Sequence, residues 1–466
     1  MQEKILYVQK NGGKIMNILF VYPSSLDSNG KVIKYKRAFV PPLSLAILDS
    51  LTPNKHKVKV VNDLVEDINY DADYDLVAIT SMTSQIERAY KIADQFRLRK
   101  VKVVIGGIHA TALPQEAKQH ADSVVIGEAD NLWQRILLDA EKNRLQDFYQ
   151  DSCLPDLKEL IIPKWDNMNM RIYPKRLGAK YPLLPIFTTR GCPFGCKFCS
   201  VTKFFGKSYR IKPIENVLAE IDSIGAKEYI FADDNIACNP DYSRELFKSI
   251  TKRNIHWLSQ ISTRVLKTPD VIDLAAKSGC NFLVVGVESI NQASLETVNK
   301  GFNKIEAYVE LISRMHNAGI NPILSFIFGC DEDTPDLFEK TLQFLKKNNV
   351  GYATFWFLTP LPGTELYQEL DQAGRLDKGD SWSMYDLTNV LFTPKNFSKE
   401  QLYHLYWQTF RQFYSLRNTI KSVWRSARIS DKPAQQFFES LFLQSFWRKK
   451  VFSNEHPYSG GLGKIK

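Results

Sequence analysis

The chain has no long hydrophobic run. A membrane-spanning helix needs about 18 or more consecutive apolar residues, whereas the longest charge-free apolar stretch here, at 352–364, contains two prolines. The first 16 residues carry scattered charges and no continuous apolar segment, so they do not resemble a secretion signal. We therefore expect a cytoplasmic protein in which residues 1–16 form a dispensable leader.

Cysteine is also scarce. Seven cysteines in 466 residues are too few for a disulfide-based scaffold. Four of them are dispersed along the chain, but Cys192, Cys196 and Cys199 lie close together. In a cytoplasmic chain such a group indicates a metal or redox site rather than disulfides.

A strong charge of one sign is missing from most of the chain. The formal net charge is +10, but the tail from Gln401 to Lys466 alone contributes +8 of it. The first 400 residues therefore lack the excess positive charge that binds phosphate backbones, and we expect no nucleic-acid partner. The hydrophobic content of 44% is typical of folded domains.

The first part of the sequence, residues 17–145, alternates strand and helix patterns. Helices are predicted at Leu43–Leu51, after two prolines, and at Gln85–Leu98. Strands are predicted at Asn17–Val21, Lys57–Asn62, Leu76–Thr80, Val101–Ile105 and Ser123–Ile126. This alternation indicates an α/β fold with a doubly wound parallel sheet, and such sheets bind ligands at the carboxyl ends of their strands.

A second series follows a proline-containing linker at residues 146–180. Its predicted strands are Leu184–Thr188, Tyr229–Ala232, Trp257–Ser262, Phe282–Val287, Ile323–Phe328 and Ala353–Leu358. Its predicted helices are Ile214–Ile224, Tyr242–Arg253, Pro269–Lys277, Ile305–Ala318 and Pro335–Asn348. Six βα units in about 190 residues are fewer than the eight of a complete barrel. Residues 181–375 are therefore predicted to form a partial, open (β/α)6 barrel, followed by a helical, basic and aromatic region at 376–466.

The three clustered cysteines directly follow the first strand of this second series, in the spacing C-x3-C-x2-C. They cannot share one helix face, but a loop can wrap them around a compact inorganic core. A [4Fe–4S] cluster normally takes four cysteines, so three would leave one iron open for another molecule. The alternatives are a zinc loop, for which no nearby fourth ligand is present, or three unrelated thiols.

This motif resembles that of the radical S-adenosylmethionine (SAM) superfamily. Over roughly residues 17–400 the chain resembles the group with an N-terminal cobalamin-binding, Rossmann-like domain, which includes cobalamin-dependent radical methyltransferases, the anaerobic magnesium-protoporphyrin cyclase and hopanoid methylases. The supporting segments are PPLSLAIL at 41–48, VVIGGIHATALPQE at 103–116, FADDN at 231–235, GVES at 286–289, NKG at 299–301, FIFGCDEDT at 326–334 and TPLPGTELY at 359–367.

The resemblance implies a definite chemistry. The open iron of the cluster binds SAM, and an electron from the reduced cluster cleaves its sulfonium C–S bond. The products are methionine and a 5′-deoxyadenosyl radical that abstracts hydrogen from the substrate. The protein orients the cofactors and excludes water.

The resemblance also suggests the SAM-binding residues. Phe198 corresponds to the adenine-contacting position, and Gly329 to a position where a side chain would crowd the adenine. Asp233 and Asp234 are candidates for the methionyl ammonium, with helix capping as the alternative. Arg264 is a candidate for binding the SAM carboxylate, with a surface ion pair as the alternative role. Glu288 and Ser289 are candidates for binding the ribose.

The cobalamin-binding candidates lie at the predicted carboxyl ends of the N-terminal strands. They are Ser81, Thr83, Gly106, Gly107, His109, Thr111, Gly127 and Glu128. Glycines allow close backbone approach to a ligand, although Gly-Gly after a strand is also an ordinary tight turn. The chain lacks a D-x-H-x-x-G motif, so we expect any bound cobalt to have no histidine ligand.

Two classes of function remain open at this stage. The favoured class is a radical SAM enzyme that methylates an unactivated carbon with cobalamin, and radical cyclisation, oxidation or rearrangement is its alternative. The other class is a non-catalytic iron–sulfur protein for electron transfer or sensing. The expected partners are a small or lipid-like substrate and a reductase, flavodoxin or ferredoxin. The aromatic tail helices either cap the open side of the barrel or contact a membrane surface.

Overall fold

The N-terminal part of the molecule is built around a parallel sheet. In this computed structural model, residues 14–176, 179–429, 433–458 and 460–465 are described. The strands are β1 Asn17–Tyr22, β2 Lys34–Ala38, β3 Lys57–Asn62, β4 Leu76–Thr80, β5 Lys102–Gly106, β6 Ser123–Ile126 and β7 Phe148–Gln150. All except β2 form one sheet in the order β3-β1-β4-β5-β6-β7, and every pairing in it is parallel. The predicted doubly wound sheet is confirmed.

Helices cover both faces of this sheet. They are α1 Leu43–Leu51, α2 Ile86–Leu98, α3 Ile108–Ala112, α4 Pro114–His120 and α5 Trp133–Glu141. Phe20 on β1 packs on Trp133 of α5, and Leu19, pointing the other way, belongs to the core cluster that contains α2. Because β1 is buried on both faces, its sequence is a continuous apolar run.

The segment predicted as a linker continues the first domain. Its first residues form β7, the sixth strand of the sheet. Further along, the Val60 amide donates to the Asn167 carbonyl across 3.0 Å, and the Asn62 side chain donates to the Tyr173 hydroxyl at 3.1 Å. The segment therefore wraps the β3 edge of the sheet.

The predicted leader meets this domain at its last residues. Residues 1–13 lie outside the described part of the chain, whereas Lys14 pairs with Asp75. Met16 is buried, and its amide donates to Nδ1 of His56 at 3.2 Å. Met16 thus belongs to the folded domain.

The second domain is a partial barrel. Its strands are β8 Leu184–Ile186, β9 Thr189–Arg190, β10 Arg210–Ile211, β11 Glu228–Phe231, β12 His256–Ile261, β13 Cys280–Glu288, β14 Asn321–Phe328 and β15 Tyr352–Phe357. Six of these form a parallel sheet in the order β8-β11-β12-β13-β14-β15, and β9 and β10 form a small antiparallel pair. The predicted six-stranded open barrel is confirmed.

Helices separate the barrel strands. They are α6 Ser200–Phe205, α7 Ile214–Ile224, α8 Pro240–Ile250, α9 Asp270–Lys277, α10 Gln292–Thr297, α11 Ile305–Asn317, α12 Asp336–Lys347 and α13 Glu365–Gln372. Short 3₁₀ helices occur at Thr83–Gln85, Met170–Ile172, Thr251–Arg253, Thr263–Lys267 and Trp382–Met384.

The C-terminal region is helical, as predicted. Its elements are α14 Lys399–Phe413, α15 Leu416–Arg428, α16 Pro433–Phe452 and β16 Gly461–Ile465. The Tyr406 hydroxyl donates to the carbonyl of Phe355 at 2.9 Å, and the Tyr414 hydroxyl donates to that of Ala353 at 2.7 Å. Both carbonyls belong to β15, the edge strand of the barrel sheet. The tail helices therefore cap this open side.

Two further features complete the fold. Strand β16 pairs antiparallel with β2, which joins the end of the chain to the N-terminal domain. Among the described residues, no helix is long and apolar enough to cross a membrane.

Candidate functional site

The cysteine loop starts at the end of β9 and is held in place by backbone contacts. Gly191 has φ +90°, and a Cβ there would come within 2.4 Å of the Ser208 carbonyl oxygen, so only glycine fits. On the other side, the Asn299 side chain donates to the Gly195 carbonyl at 2.8 Å. The Lys197 amide donates to the Val298 carbonyl at 3.2 Å. The loop is thus fixed between the β10 hairpin and the segment before α11.

The three thiols of this loop lie near one another and are partly buried. Burial raises the pKa of Cys199 to about 12, and the charges of Cys196 and Cys192 contribute to the same shift. Burial also raises the pKa of Cys192 and of Cys196. Thiols in this state need a metal to become thiolates.

Three cysteine thiols on one loop can each bind a different iron of an iron–sulfur cluster. The donor set of three soft thiolates suits iron.

Asp233 and Asp234 follow β11 and have different surroundings. Asp233 is fully buried and accepts hydrogen bonds from the Thr188 amide, at 3.2 Å, and from the hydroxyls of Thr188 and Thr189. Asp234 is half-buried and accepts one from the Gly191 amide at 3.0 Å, next to the first cysteine. Burial raises the pKa of each carboxyl to about 6. Asp233 therefore fastens two strand ends, and Asp234 retains an acceptor oxygen beside the loop.

Glu288 ends β13 with φ +63° and forms a buried ion pair with Lys300. Burial lowers the pKa of Lys300, but the charges of Glu288 and Cys196 outweigh it and raise the pKa overall. The Lys300 ammonium lies 6.0 Å from the centre of the Phe198 ring. A positive charge is therefore held against the cysteine loop. Ser289 is buried beside it and accepts a hydrogen bond from the Asn291 amide at 3.0 Å.

Arg264 follows β12 and Gly329 follows β14, the two strands on either side of β13. The Arg264 guanidinium stacks on the Phe194 ring of the cysteine loop, 5.2 Å from its centre. Within the described residues no carboxylate lies within ion-pair distance of it, so the alternative of a surface ion pair is not seen. Gly329 has φ +105°, and a Cβ there would approach Leu402 of α14 to 3.2 Å. Packing against the tail thus accounts for this glycine without a ligand.

The carboxyl end of the N-terminal sheet borders a cavity of about 170 Å³. Gly106, Gly107, Gly127 and Glu128 line it, and Gly127 has open space where a side chain would stand. A Cβ on Gly107, at φ +103°, would come within 2.6 Å of the Ser81 carbonyl oxygen. Helices α1 and α5 also line it, for example with Leu45 and Trp133, and the barrel domain contributes Phe187, Arg190, Phe204 and Phe205.

Other predicted cobalamin residues surround this cavity without lining it. The Thr111 hydroxyl donates to the Gly107 carbonyl and accepts from the Gly127 amide, both at 2.9 Å, so it fixes the two turns. Thr83 is buried in the 3₁₀ turn after β4. The buried Ser81 hydroxyl has no partner within the described residues, which leaves it for a ligand.

His109 does not line the cavity. Its Nε2 lies 3.2 Å from Glu116, and its ring packs edge-on against Trp382 at 5.0 Å. It therefore joins α3 to the loop at residues 381–383. This loop also contacts α2, because the Trp382 amide and the hydroxyls of Ser381 and Ser383 donate hydrogen bonds to Glu87. The glycine turns at this edge of the sheet and the unpartnered Ser81 hydroxyl are the features that suit cobalamin.

Glu128 connects the two domains instead of standing free. Arg190 donates to Glu128 at 2.6 Å and to Asp130 at 2.9 Å, and Arg210 pairs with the other oxygen of Glu128. Arg190 is buried and lies two residues before Cys192. These two arginines, together with Thr188, Thr189 and Lys300, were not predicted as site residues. Their roles depend on partners distant in sequence, although Arg190 directly precedes the cysteine motif.

Comparison with known proteins agrees with this geometry. The model of the radical SAM superfamily matches residues 186–345, and that of the B12 binding domain matches residues 38–137. The chain is 36% identical over 383 residues to bacteriochlorophyllide d C-8(2)-methyltransferase of Chlorobaculum tepidum, covering 78% of this chain and 82% of that one. It is 32% identical over 457 residues to bacteriochlorophyllide d C-12(1)-methyltransferase of the same organism, covering 96% of each.

A solved structure shares the fold. The cobalamin-dependent SAM radical enzyme OxsB with aqua-cobalamin bound superimposes with a TM-score of 0.65 at 15% identity, over 94% of this chain and 73% of that one. Fold and site together define a radical SAM enzyme. More narrowly, the chain belongs to the group of this superfamily that carries an N-terminal B12-binding domain, together with the two methyltransferases. Its cofactors are a [4Fe–4S] cluster, SAM and cobalamin.

Proposed function

We propose that the enzyme transfers a methyl group to an unactivated carbon of a tetrapyrrole-type small molecule. The observation that carries this proposal is that residues on both sides of the cysteine loop line the cobalamin cavity. Arg190 lines the cavity just before Cys192, and Phe204 and Phe205 line it from the helix that starts after Cys199. Both cofactors can thus serve one substrate. The ring-shaped substrate class is inferred from the relatives' substrates.

When bound, the cluster supplies the electron that cleaves SAM, and cobalamin supplies the methyl group to the substrate radical. The residues of the chain hold and orient these groups. We assign Cys192, Cys196 and Cys199 to the cluster and Asp234 to the SAM ammonium, because its carboxylate stands beside the loop. Arg264, which has no carboxylate partner in the described chain, suits the SAM carboxylate.

The remaining assignments follow from position. Phe198 offers a ring to the adenine, and Ser289 a hydroxyl to the ribose, while Glu288 acts through Lys300. The half-buried rings of Phe194, Phe198 and Phe302 around the loop help to exclude water from the radical. Gly106, Gly107, Gly127 and Ser81 contact cobalamin, and Thr111 positions their turns.

The proposed reaction needs one protein partner besides the substrate, an electron donor. A low-potential flavodoxin, ferredoxin or reductase delivers electrons to the cluster. A cytoplasmic location agrees with this need, and all seven cysteines are free thiols.

The experiment is anaerobic reconstitution with iron, sulfide and cobalamin, followed by turnover with SAM that carries a deuterated methyl group. Methyl transfer predicts 5′-deoxyadenosine and S-adenosylhomocysteine in equal amounts, and a labelled methyl group in the product. Deoxyadenosine without S-adenosylhomocysteine would favour cyclisation or oxidation instead. Formation of neither product would favour an electron-transfer protein.

A variant separates the two cofactor sites. Gly107→Trp places a bulky side chain against Ser81 and should abolish cobalamin binding and methyl transfer. Reductive SAM cleavage at the cysteine loop should persist. The matched control is Gly374→Trp, at a glycine with open space outside the site. Wild-type cobalamin content in Gly107→Trp would contradict the assignment.

A further inference from the structure

The outer face of the tail helices α15 and α16 carries an exposed apolar surface. On α15, Leu416, Ile420 and Trp424 recur every four residues and are 61%, 47% and 55% exposed. On α16, Phe438, Leu441, Phe442 and Phe452 are 68%, 40%, 69% and 48% exposed. Single exposed apolar residues are common, but a contiguous group marks an interaction site.

The two rows of side chains form one surface. The Trp424 ring packs on Phe437 at 5.1 Å, and Phe437 packs on Phe438 at 5.6 Å, so the rows meet across the helix pair. The opposite faces of both helices are buried in the barrel: Ser422 and Gln444 both donate to the Gly351 carbonyl. Capping therefore uses the inner faces and leaves the outer one uncovered.

Basic side chains flank this apolar surface. On α15 the exposed Arg417, Lys421 and Arg428 follow the apolar residues around the helix, and on α16 Lys449 lies within the exposed face. The Arg448 guanidinium stacks over the exposed Phe452 ring at 4.4 Å. Long basic side chains beside aromatic rings can reach lipid phosphates while the rings enter the interface.

We propose that the α15–α16 face lies on an anionic lipid bilayer. Charge complementarity selects this occupant, because the apolar face carries basic residues at its border and the whole tail has a net charge of +8. Neither helix can cross the membrane, so the contact is parallel to the surface. This proposal goes beyond the proposed reaction and does not depend on it.

The surface is separate from the catalytic site. Ser426 and Ser422 contact Asn321 and Gly351, at the amino ends of β14 and β15, whereas the cysteine loop lies at the carboxyl ends. A protein attached in this way keeps the carboxyl ends of the barrel strands turned away from the lipid. Substitutions on the outer face should therefore leave SAM cleavage in vesicle-free solution unchanged.

The test is flotation of the reconstituted full-length enzyme with vesicles. One set contains phosphatidylcholine alone, and the other contains phosphatidylcholine mixed with phosphatidylglycerol. We expect binding to the anionic vesicles that weakens with added salt. The charge variant Arg417→Gln/Lys421→Gln/Lys449→Gln should bind about 100-fold more weakly, since each basic residue near an anionic surface contributes about fivefold.

An apolar variant tests the contribution of the exposed apolar side chains to membrane binding. Ile420→Ser/Phe438→Ser/Phe442→Ser should lose binding, whereas the control Leu98→Ser/Val309→Ser, at exposed apolar positions on α2 and α11, should bind like the wild type. Absence of wild-type binding to anionic vesicles, or equal binding by all variants, overturns the proposal. A dimer in light scattering that the apolar variant converts to monomer also overturns it, because a second copy then covers the face.

Discussion

Lys300 places a positive charge against the cysteine loop. It is buried, pairs with Glu288 and interacts with the charges of Cys196 and Cys199. We predict that Lys300→Met lowers the midpoint potential of the cluster by about 60 mV, the equivalent of a tenfold change in a one-electron equilibrium. The reduced cluster carries one more negative charge, which this cation stabilises.

An anaerobic redox titration followed by electron paramagnetic resonance measures the shift. Lys300→Arg keeps the charge and serves as the control, with a potential near that of the wild type. An unchanged potential in Lys300→Met would show that the ammonium stabilises the loop without influencing the cluster.

The three cysteines of the loop are assigned as the protein ligands of the cluster. Removing any one of the three thiols leaves an iron without its protein ligand, and removing all three leaves none. The triple variant Cys192→Ala/Cys196→Ala/Cys199→Ala should contain no cluster after anaerobic reconstitution, by iron and sulfide analysis. Cys153→Ala, at an exposed cysteine outside the site, should retain the full content. Four irons in the triple variant would refute the assignment.

His109 is predicted not to bind cobalt. Its Nε2 is engaged with Glu116, and its ring is held by Trp382. His109→Ala should therefore keep the visible spectrum of bound cobalamin, with weaker affinity at most because the turn loses support. Nitrogen coupling from a protein histidine in the cob(II)alamin resonance spectrum would contradict the unligated state.

The sequence patterns predicted the positions of the site residues better than the residues that they contact. Cys192, Asp233 and Glu288 follow predicted strands, so their placement at one edge of the barrel could be derived from topology. The hydrogen bonds from Thr188 to Asp233 and the pairing of Glu288 with Lys300 could not. Those contacts depend on loop geometry, which a strand pattern does not encode.

Glu128 links the turn after β6 to strands β9 and β10. Two arginines share its carboxylate, and Arg190 and Glu128 are both buried. Glu128→Ala leaves two guanidiniums short of a partner, and breaking a buried pair in this way costs about 3–5 kcal/mol. We therefore predict a clearly lower midpoint of urea unfolding for the N-terminal domain.

The control for this prediction is Asp147→Ala, which removes an exposed ion pair with Lys118. Exposed pairs contribute about 0–1 kcal/mol, so its midpoint should stay close to the wild-type value. Equal effects of the two substitutions would show that the buried network does not hold the domains together.

Several predicted elements have the observed bounds, and they include the partly exposed β3 and α7. Strand β4, LVAIT, and helix α1 were predicted with the observed bounds, because their apolar pattern is complete within the segment. Strand β2, KYKRA, and strand β7, FYQ, were missed. Strand β2 is rich in charged residues and pairs with the distant β16, and β7 has only three residues, so neither contains a complete apolar pattern.

The N-terminal boundary of the folded molecule can be tested by truncation. Residues 1–13 lie outside the described chain, and the first described contact is between Lys14 and Asp75. We predict that deleting residues 1–13 leaves soluble yield, cluster content and SAM cleavage unchanged. Deleting residues 1–16 also removes buried Met16, and should lower stability by about 2–5 kcal/mol, as for loss of a core side chain.

Thermal unfolding of both truncations, with expression measured in parallel, distinguishes these outcomes. Similar stability of the two proteins would show that Met16 contributes little to the core. A large loss of soluble protein from the shorter deletion would show that the first 13 residues pack on the domain.

The pairing of β2 with β16 affects how the chain is made. Strand β2 leaves the ribosome long before β16 is translated. It therefore has no partner strand on this edge while the rest of the enzyme is synthesised. An unpaired strand can recruit a strand from another nascent chain. Lys34, Lys36 and Arg37 place three positive charges on this strand, and these repel a second copy of it. A polypeptide that ends before Gly461 lacks β16, so this edge of β2 stays without its partner strand.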